Sequence, residues 1–184
     1  LLDNGCPVTG VVKCVYPCSS KYIVESKSIK LYFNSYNMTR VAAERDVAIS
    51  SFEKTASRDL SDLLETDVLV RFQDGARVNK TYNSPNGAWD MDQYINVDHL
   101  EDEKDFEYTQ YTEDPSLLEA VARKRDLKQY FYSGLLKSNC RVTSQPDWGD
   151  VFIYIKSKNA IDAHSIKKYV VSYRDECHFH EEIC

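Results

Sequence analysis

The sequence predicts an α+β fold built from two similar modules. Hydrophobic residues make up 42% and charged residues 28% of the 184 residues, which is typical of a chain that buries a packed core. Strand patterns are followed by helix patterns before residue 90, and a shorter form of the same outline returns after residue 119. A strongly acidic segment separates the two.

Three short apolar runs predict strands in the first module. Residues 11–16 predict a strand that ends before Pro17, and residues 21–24 predict a second strand or the approach to one. Residues 67–72 predict a further strand, with a turn at 73–75. These runs provide the sheet of the first module.

An amphipathic helix is predicted between Glu44 and Leu64. Apolar residues recur there at three- and four-residue steps, while most charged residues fall off that stripe. The stripe consists of Ile49, Phe52, Ala56, Leu60 and Leu63. This pattern indicates a helix laid on an apolar surface.

The second module repeats this outline in shorter form. Residues 115–135 predict a helix that begins at a proline, and residues 149–155 predict a strand. Asp162 or Ser165 is a candidate cap for a final helix. No strand pattern follows that helix.

Residues 90–119 form the acidic segment. Eleven Asp and Glu residues stand against one Lys, a local charge of -10 that exceeds the total of -6. A solvated connector explains this best, ahead of a metal site or an acidic decoy. We therefore predict an N-terminal module at 1–89, a connector at 90–119 and an incomplete C-terminal module at 120–184.

The charge balance excludes two classes of partner. The chain has 23 Lys and Arg against 29 Asp and Glu, which argues against a protein that holds nucleic acid or an anionic membrane through excess positive charge. No apolar run approaches the roughly 18–20 residues that span a bilayer, and no secretory leader pattern is visible at the start. We expect a cytoplasmic protein.

The six cysteines predict free thiols. They are spread along a chain too long to need disulfide bonds, and none forms a CxxC pair. The closest spacings, Cys14 to Cys18 and Cys177 to Cys184, lack the paired knuckles of a structural zinc site. No metal is expected.

Cys140 has the most informative surroundings of the six. It lies in a polar loop whose Pro146-Asp147 step favours a turn, and a turn would bring the Asp147 carboxyl back towards the sulfur. Arg141 is a candidate to stabilise the thiolate, and Trp148 to form an apolar wall that raises the pKa of the Asp147 carboxyl. Such a pair is typical of nucleophilic catalysis. The alternative is a structural cysteine in an ordinary loop.

Two further polar clusters accompany Cys140. Residues 25–32 place a carboxylate, two hydroxyls and two ammonium groups at a strand-to-helix boundary, where free backbone N–H groups could also hold an anion. The other interpretation is a solvated helix start with a capping serine. Residues 179–182 pair the His180 imidazole with carboxylates, and an ordinary satisfied histidine is the alternative there.

Three motifs, in this order, resemble the QueF family, the NADPH-dependent 7-cyano-7-deazaguanine reductases of queuosine biosynthesis. The motifs are Glu25-Ser26-Lys27-Ser28-Ile29-Lys30-Leu31-Tyr32-Phe33-Asn34-Ser35-Tyr36-Asn37, Ser138-Asn139-Cys140 with Gln145-Pro146-Asp147-Trp148-Gly149, and Phe179-His180-Glu181-Glu182. Because the first motif precedes the cysteine, the chain is similar to the two-module members. The resemblance runs from about residue 10 to the end and is weakest across the acidic segment.

The resemblance implies tandem tunnelling-fold (T-fold) modules, each with an antiparallel sheet and helices packed on one face. It implies sites where modules or subunits meet, and a homodimer. It also implies reduction of 7-cyano-7-deazaguanine to 7-aminomethyl-7-deazaguanine through a covalent thioimide, a step that serves tRNA modification without direct contact with nucleic acid.

The same resemblance implies the roles of individual residues. Cys140 is the covalent nucleophile, Asp147 the proton donor, and His180 both a catalytic and a substrate-binding residue. The remaining substrate contacts are Val24, Glu25, Ser26 and Glu181. Contacts with NADPH fall to Ser26 and Lys27.

Two other functions stay open. One is a non-catalytic purine- or pterin-binding T-fold module, and the other is a related T-fold enzyme of the amidinotransferring or hydrolytic type. The Arg-Gly pair through which the family contacts NADPH has no counterpart before Cys184, and no GxGxxG motif exists, so the implied cofactor site is not a Rossmann site. We expect the natural protein to be longer at both ends.

Overall fold

The computed structural model describes residues 1–74, 81–84, 87–102, 106–178 and 180–183. The chain divides into two compact units, Leu1–Ala76 and Arg77–Cys184. Helices occur in both units beside antiparallel strand pairs. The predicted α+β class is confirmed.

An antiparallel ladder forms the sheet of the first unit. Strand β1 (Gly10–Val15) pairs with β2 (Leu69–Asp74), with Val12 opposite Phe72. Both strands agree with the sequence predictions. Residue 75, at the end of the predicted turn, lies outside the described residues.

Helix α2 (Arg45–Leu64) is the predicted amphipathic helix. Its buried residues Ala56, Leu60 and Leu64 form a core with Val68 and Val70 at the start of the following strand. Leu63, predicted on the buried stripe, is 68% exposed, whereas Leu64 is 3% exposed. The reason is the four-residue step from Ala56 to Leu64, which keeps these side chains on one helix face.

Polar side chains of α2 bind the edge of β2 that faces away from β1. Every fourth residue of a helix advances by about 6 Å and every second residue of a strand by about 6.6 Å. Side chains four apart on α2 can therefore each reach a backbone group two residues further along β2. The Val68 N–H donates to Ser61 Oγ at 2.8 Å and the Val70 N–H to Ser57 Oγ at 2.9 Å. The Phe72 N–H donates to Glu53 Oε1 at 2.7 Å. The helix thereby satisfies donors that would otherwise form an open sheet edge.

Helix α1 (Ser26–Asn34) follows residues that were predicted as a strand or its approach. Residues 21–24 are not part of any strand of the first unit's described residues. Ile23 is 83% exposed, so this apolar run does not lie buried against a sheet. It is only the approach to α1.

The second unit contains a three-stranded sheet and a separate hairpin. In the sheet, β5 (Ile95–Asn96) runs parallel to β6 (Ala120–Asn139), which pairs antiparallel with β7 (Pro146–Ile161). The hairpin pairs β3 (Thr81–Ser84) with β4 (Gly87–Asp90). Antiparallel pairing therefore dominates, and β5 is the parallel exception among these described strands.

The prediction of a helix at 115–135 is wrong. A 3-10 turn at Pro115–Leu117 is followed by β6. Leu127, Phe131 and Leu135 are four residues apart, and that step keeps side chains on one face of either a helix or a strand. Pairing with β7 decides between the two, since only the strand hydrogen bonds to it along most of its length.

Helix α3 (Ala163–Ser172) follows β7 directly, and β7 contains the strand predicted at 149–155. The Asp162 carboxylate caps α3 by accepting the Ser165 N–H at 3.0 Å, as one of the two predicted caps. Ile166 on this helix is buried. None of the helices in the described ranges is both long and apolar enough to cross a bilayer.

Acidic residues of the 90–119 segment are bonded within the second unit. The Asp98 carboxylate accepts the Ser133 hydroxyl at 2.6 Å and the Gly134 N–H at 2.8 Å. Burial raises the pKa of Asp98, and these bonds act against that rise. Asp102 forms a 2.7 Å ion pair with the buried Lys167 on α3. These two acids therefore contribute to packing, whereas the sequence predicted a solvated connector.

Candidate active site

Cys140 begins the loop that joins β6 to β7. Its N–H donates to the Gln145 carbonyl at 2.7 Å, and its own carbonyl accepts the Ser144 N–H at 2.8 Å. Ser144 has a φ of 54°, in the left-handed region that lets a short loop reverse direction. The turn therefore lies before Pro146, which is the first residue of β7.

The loop lowers the pKa of the Cys140 thiol below its ordinary range. The largest cause is a hydrogen bond from the Thr143 hydroxyl, followed by the backbone N–H groups of Thr143 and Val142. Donors of this kind stabilise a thiolate. Partial burial and the negative charge of Asp147 act in the opposite direction. On balance the sulfur is easier to ionise than that of an ordinary cysteine.

Asp147 lies in the strand that returns from this loop. It pairs with Ser138 across the ladder, so the two side chains project from the same face of the sheet. Cys140 follows the end of β6, two residues beyond Ser138, and the charge of Asp147 acts on its thiol. Trp148 projects from the opposite face and is 47% exposed. The expectation that Trp148 forms an apolar wall beside Asp147 is therefore wrong.

Arg141 binds the C-terminal segment. Its Nη2 donates to Glu182 Oε2 at 2.8 Å and its Nε to the Cys177 carbonyl at 3.3 Å. The causes that lower the pKa of Cys140 are hydrogen bonds from the loop, and the support of the thiolate by Arg141 stays a prediction. Arg141 connects the Cys140 loop to the helix that carries Glu182.

Further bonds fasten the C-terminal segment beside the Cys140 loop. The Asn139 N–H donates to the Glu176 carbonyl at 2.7 Å, and Asn139 forms an isolated bridge with Cys177. Lys137 Nζ donates to the Arg174 carbonyl at 2.7 Å. Burial lowers the pKa of the Lys137 amine. Together these contacts hold the chain just before the predicted His-Glu motif against the end of β6.

That motif begins α4 (His180–Ile183). The side chains of His180 and Glu181, and the whole of Phe179, lie outside the described residues. Their predicted roles therefore stay predictions. The described backbone shows that the helix bearing them follows directly on the segment bonded to Asn139 and Arg141.

Glu25 is the N-cap of α1 in the first unit. Its Oε1 accepts the Lys27 N–H at 3.0 Å, and its Oε2 accepts the Ser28 N–H at 2.7 Å and the Ser28 hydroxyl at 2.9 Å. These bonds lower the pKa of the Glu25 carboxyl, the Lys27 N–H most. The helix start was interpreted as capped by a serine or open to an anion, but a carboxylate of the chain itself occupies the N–H groups of Lys27 and Ser28.

The other predicted residues of the first unit lie around this cap. Ser26 and Lys27 are exposed in the first turn of α1, and Val24 is half-buried against the core of the unit. Because Glu25 accepts the Lys27 N–H, Lys27 has only its side-chain ammonium group to offer a ligand.

Sequence reasoning missed one buried group beside Cys140. Ser138 is 0% exposed, and its Oγ has no hydrogen-bond partner in the described part of the chain. The available signal was its place in the same motif, two positions before Cys140.

Five of the cysteines are free thiols, and Cys184 lies outside the described residues. Within the described ranges, no group of three or more His, Cys, Asp and Glu side chains is arranged to hold a metal ion.

Two models of one protein family match the chain. A model described as "Nitrile reductase, 7-cyano-7-deazaguanine-reductase N-term" matches residues 1–72, and one described as "QueF-like protein" matches residues 146–184. Together they cover more than half of the chain. The first match contains Glu25, and the second contains Asp147 and His180.

Curated proteins named NADPH-dependent 7-cyano-7-deazaguanine reductase are similar over nearly the whole chain. The one from Colwellia psychrerythraea is 36% identical over 185 residues, which are 99% of this chain and 60% of the relative. One from Coxiella burnetii is 36% identical over 181 residues, which are 98% of this chain and 58% of the relative. The chain thus spans about 60% of the length of these relatives. With two family models and these relatives in agreement, the chain belongs to the QueF family.

Proposed function

We propose that this protein is an NADPH-dependent oxidoreductase that reduces 7-cyano-7-deazaguanine to 7-aminomethyl-7-deazaguanine in queuosine biosynthesis. One observation supports the proposal: the pKa of the Cys140 thiol is lowered, and the carboxyl of Asp147, across a single hairpin turn, is near enough for its charge to act on that thiol. The names of the relatives supply the substrate and the cofactor.

The first step is attack of the Cys140 thiolate on the nitrile carbon. The carbon–sulfur bond forms, one π bond of the nitrile breaks, and its electron pair goes to the nitrogen, which takes the proton of the Asp147 carboxyl. The product is a thioimide on Cys140. The reactive form holds the charge on sulfur and the proton on Asp147, and the donors of the 140–145 loop reduce the free energy needed to reach it.

Glu25, His180 and Glu181 are the proposed holders of the deazaguanine ring. Its guanine-like edge presents adjacent N–H donors, and one carboxylate accepts two of them in parallel. Three of the roughly four acceptor positions of the Glu25 carboxylate are taken by Lys27 and Ser28. Binding of the ring at Glu25 therefore requires the carboxylate to release part of the α1 cap. Val24 and Ser26 flank that position in sequence.

Ser26 and Lys27 are the proposed contacts for NADPH. Both are exposed in the first turn of α1, and the Lys27 ammonium is a suitable partner for a phosphate group. Two molecules of NADPH, bound in succession, would each supply one hydride, and these two hydrides with two protons would convert the nitrile into the aminomethyl group. The Cys140 sulfur leaves as a thiolate before the amine is complete, so the nucleophile is restored.

The finer features of the fold and assembly are part of the same proposal. We propose tandem T-fold modules at 1–89 and 120–184 with the connector at 90–119, assembled as a homodimer. A mechanism that needs a reduced Cys140 favours the cytoplasm, where thiols are kept reduced.

Intact mass spectrometry after mixing the chain with 7-cyano-7-deazaguanine tests the nucleophile. We expect an adduct equal to the mass of the nitrile on the parent protein and none on Cys140→Ala. Cys177→Ala is the matched control, because Cys177 is an exposed free thiol beside the same loop and should leave the adduct intact. An equal adduct on Cys140→Ala contradicts the assignment.

Loss of NADPH absorbance in the presence of the nitrile tests the reduction. Consumption that depends on Cys140 supports the reductase. Binding of the nitrile without adduct or consumption indicates a purine- or pterin-binding module. An adduct without consumption indicates amidinotransferring or hydrolytic chemistry. Each result separates one of the three functions that the sequence left open.

A further inference from the structure

Ser138 differs from the other deeply buried serines of the second unit. Ser133, Ser165 and Ser172 are equally inaccessible, at 1% exposure or less, and each hydroxyl donates a hydrogen bond. The acceptors are Asp98 Oδ1 at 2.6 Å, the Asp162 carbonyl at 2.7 Å and the Tyr169 carbonyl at 2.7 Å. Ser138 Oγ alone among the four has no partner in the described part of the chain. Such a group costs free energy until something pairs with it.

The position of Ser138 indicates what pairs with it. Ser138 lies directly opposite Asp147 in the ladder, so these two side chains share one face, and the charge of Asp147 acts on the thiol of Cys140, two residues beyond Ser138. In the proposed reaction, Cys140 bonds to the nitrile carbon and Asp147 must reach the nitrogen one bond away. The nitrile nitrogen therefore lies next to the side chains of Asp147 and Ser138, which project from the same face of the sheet.

We infer that Ser138 is a further substrate-binding residue, whose hydroxyl hydrogen bonds to the nitrogen of the nitrile and then of the thioimide. The inference rests on the proposed function. A serine hydroxyl suits both states, since it donates to the nitrile nitrogen and, once Asp147 has protonated that nitrogen, accepts from its N–H. Ser138 keeps its own proton throughout. The bond polarises the nitrile and holds the nitrogen towards Asp147.

The test compares Ser138→Ala with Ser133→Ala, a control from the same strand whose hydroxyl is fully bonded. For Ser138→Ala we expect a rate of adduct formation with 7-cyano-7-deazaguanine about tenfold lower, the scale of one lost hydrogen bond. Its Tm should be no lower than that of the parent, because no hydrogen bond is broken. Ser133→Ala should instead lower Tm by several degrees and keep the parent's adduct rate once folded.

Alkylation of Cys140 by iodoacetamide, measured against pH, separates a binding role from a general disturbance of the loop. The profile should be the same in Ser138→Ala as in the parent, because the causes that lower the thiol pKa lie at Thr143 and Val142. A shifted profile means that Ser138 supports the thiol and overturns the inference.

The remaining outcomes are also decisive. Equal rates of adduct formation in Ser138→Ala and the parent overturn the inference about Ser138 and leave the proposed reductase function unaffected. A Tm loss in Ser138→Ala as large as in Ser133→Ala shows a structural hydroxyl and overturns it too. Absence of an adduct on the parent itself overturns the nucleophile of the proposed function and the inference together, so the two failures are distinguishable.

Discussion

Glu25 in the first unit and Cys140 in the second occupy the same local arrangement. Each ionisable side chain is hydrogen bonded by backbone N–H groups two and three residues further on, and by a hydroxyl three residues further on. The donors are Lys27 and Ser28 for Glu25, and Val142 and Thr143 for Cys140. In both cases these bonds lower the pKa of the group.

The two arrangements differ in what surrounds the ionised group. Glu25 begins the nine-residue helix α1, and a carboxylate is ionised at neutral pH with or without a cap, so the bonds act on the helix. Cys140 begins a short loop near Asp147, whose charge opposes ionisation of the thiol. The same donors there act on a group that is ordinarily protonated. The same arrangement of hydrogen-bond donors thus stabilises a helix in one unit and, as we propose, activates a nucleophile in the other.

Replacing Asp147 should have the largest effect, with opposite signs in two assays. In Asp147→Asn the proton donor is lost, and we expect adduct formation with the nitrile to fall by about 10²–10⁴-fold. The same change removes a charge that raises the pKa of Cys140, so alkylation by iodoacetamide below that pKa should become faster. Time courses by intact mass measure the first rate, and alkylation against pH measures the second.

Asp150→Asn is the control for this prediction, since Asp150 lies on the same strand and accepts the Tyr132 hydroxyl at 3.2 Å. It should change neither rate appreciably. Adduct formation and alkylation that fall together in Asp147→Asn would show a damaged loop, and an unchanged adduct rate would remove Asp147 as the proton donor.

Removing the hydroxyl that bonds to each ionisable group should have an effect of intermediate size on the reactivity of Cys140, and only when the hydroxyl removed is that of Thr143. Thr143→Val deletes the largest cause of the lowered Cys140 pKa, so that pKa should rise and alkylation at pH 7 should slow by about three- to tenfold. Ser28→Ala makes the matching change beside Glu25 and should leave alkylation unaltered. A Thr143→Val protein with the parent's pH profile would contradict the assignment of the donors.

Loss of the Glu25 cap should give the smallest effect, on stability. The fold lowers the pKa of Glu25, so its stabilisation is fully present above the unfolded value and is lost as pH falls through the folded one. Glu25→Ala should therefore lower Tm by a few degrees near neutral pH, and the difference from the parent should shrink on acidification. Thermal melts at several pH values measure it.

Glu44→Ala is the control for the cap, because Glu44 precedes α2 without a side-chain cap bond. It should change Tm little at any pH. Equal losses from Glu25→Ala and Glu44→Ala would mean that charge near a helix start matters here, and that the hydrogen bonds of Glu25 do not.

Some elements follow from spacing along the chain alone. The apolar stripe of α2, the Asp162 cap of α3 and the strand that ends before Pro17 all depend on neighbours within a few residues. The closeness of Cys140 and Asp147 was predictable for the same reason, since a single turn separates them. The motifs that resemble the QueF family are equally local, which explains why the family was recognisable before the fold was known.

Only the tertiary structure decided the features that depend on distant pairing. Ladder pairing with β7 makes β6 a strand, although its apolar residues four apart suit a helix equally well. Arg141 binds Glu182, which lies 41 residues further on. Ser138 Oγ is buried and, among the described residues, has no hydrogen-bond partner, and no local pattern in the sequence predicts that. Periodicity determines which face a side chain occupies, but only the assembled register determines what that face meets.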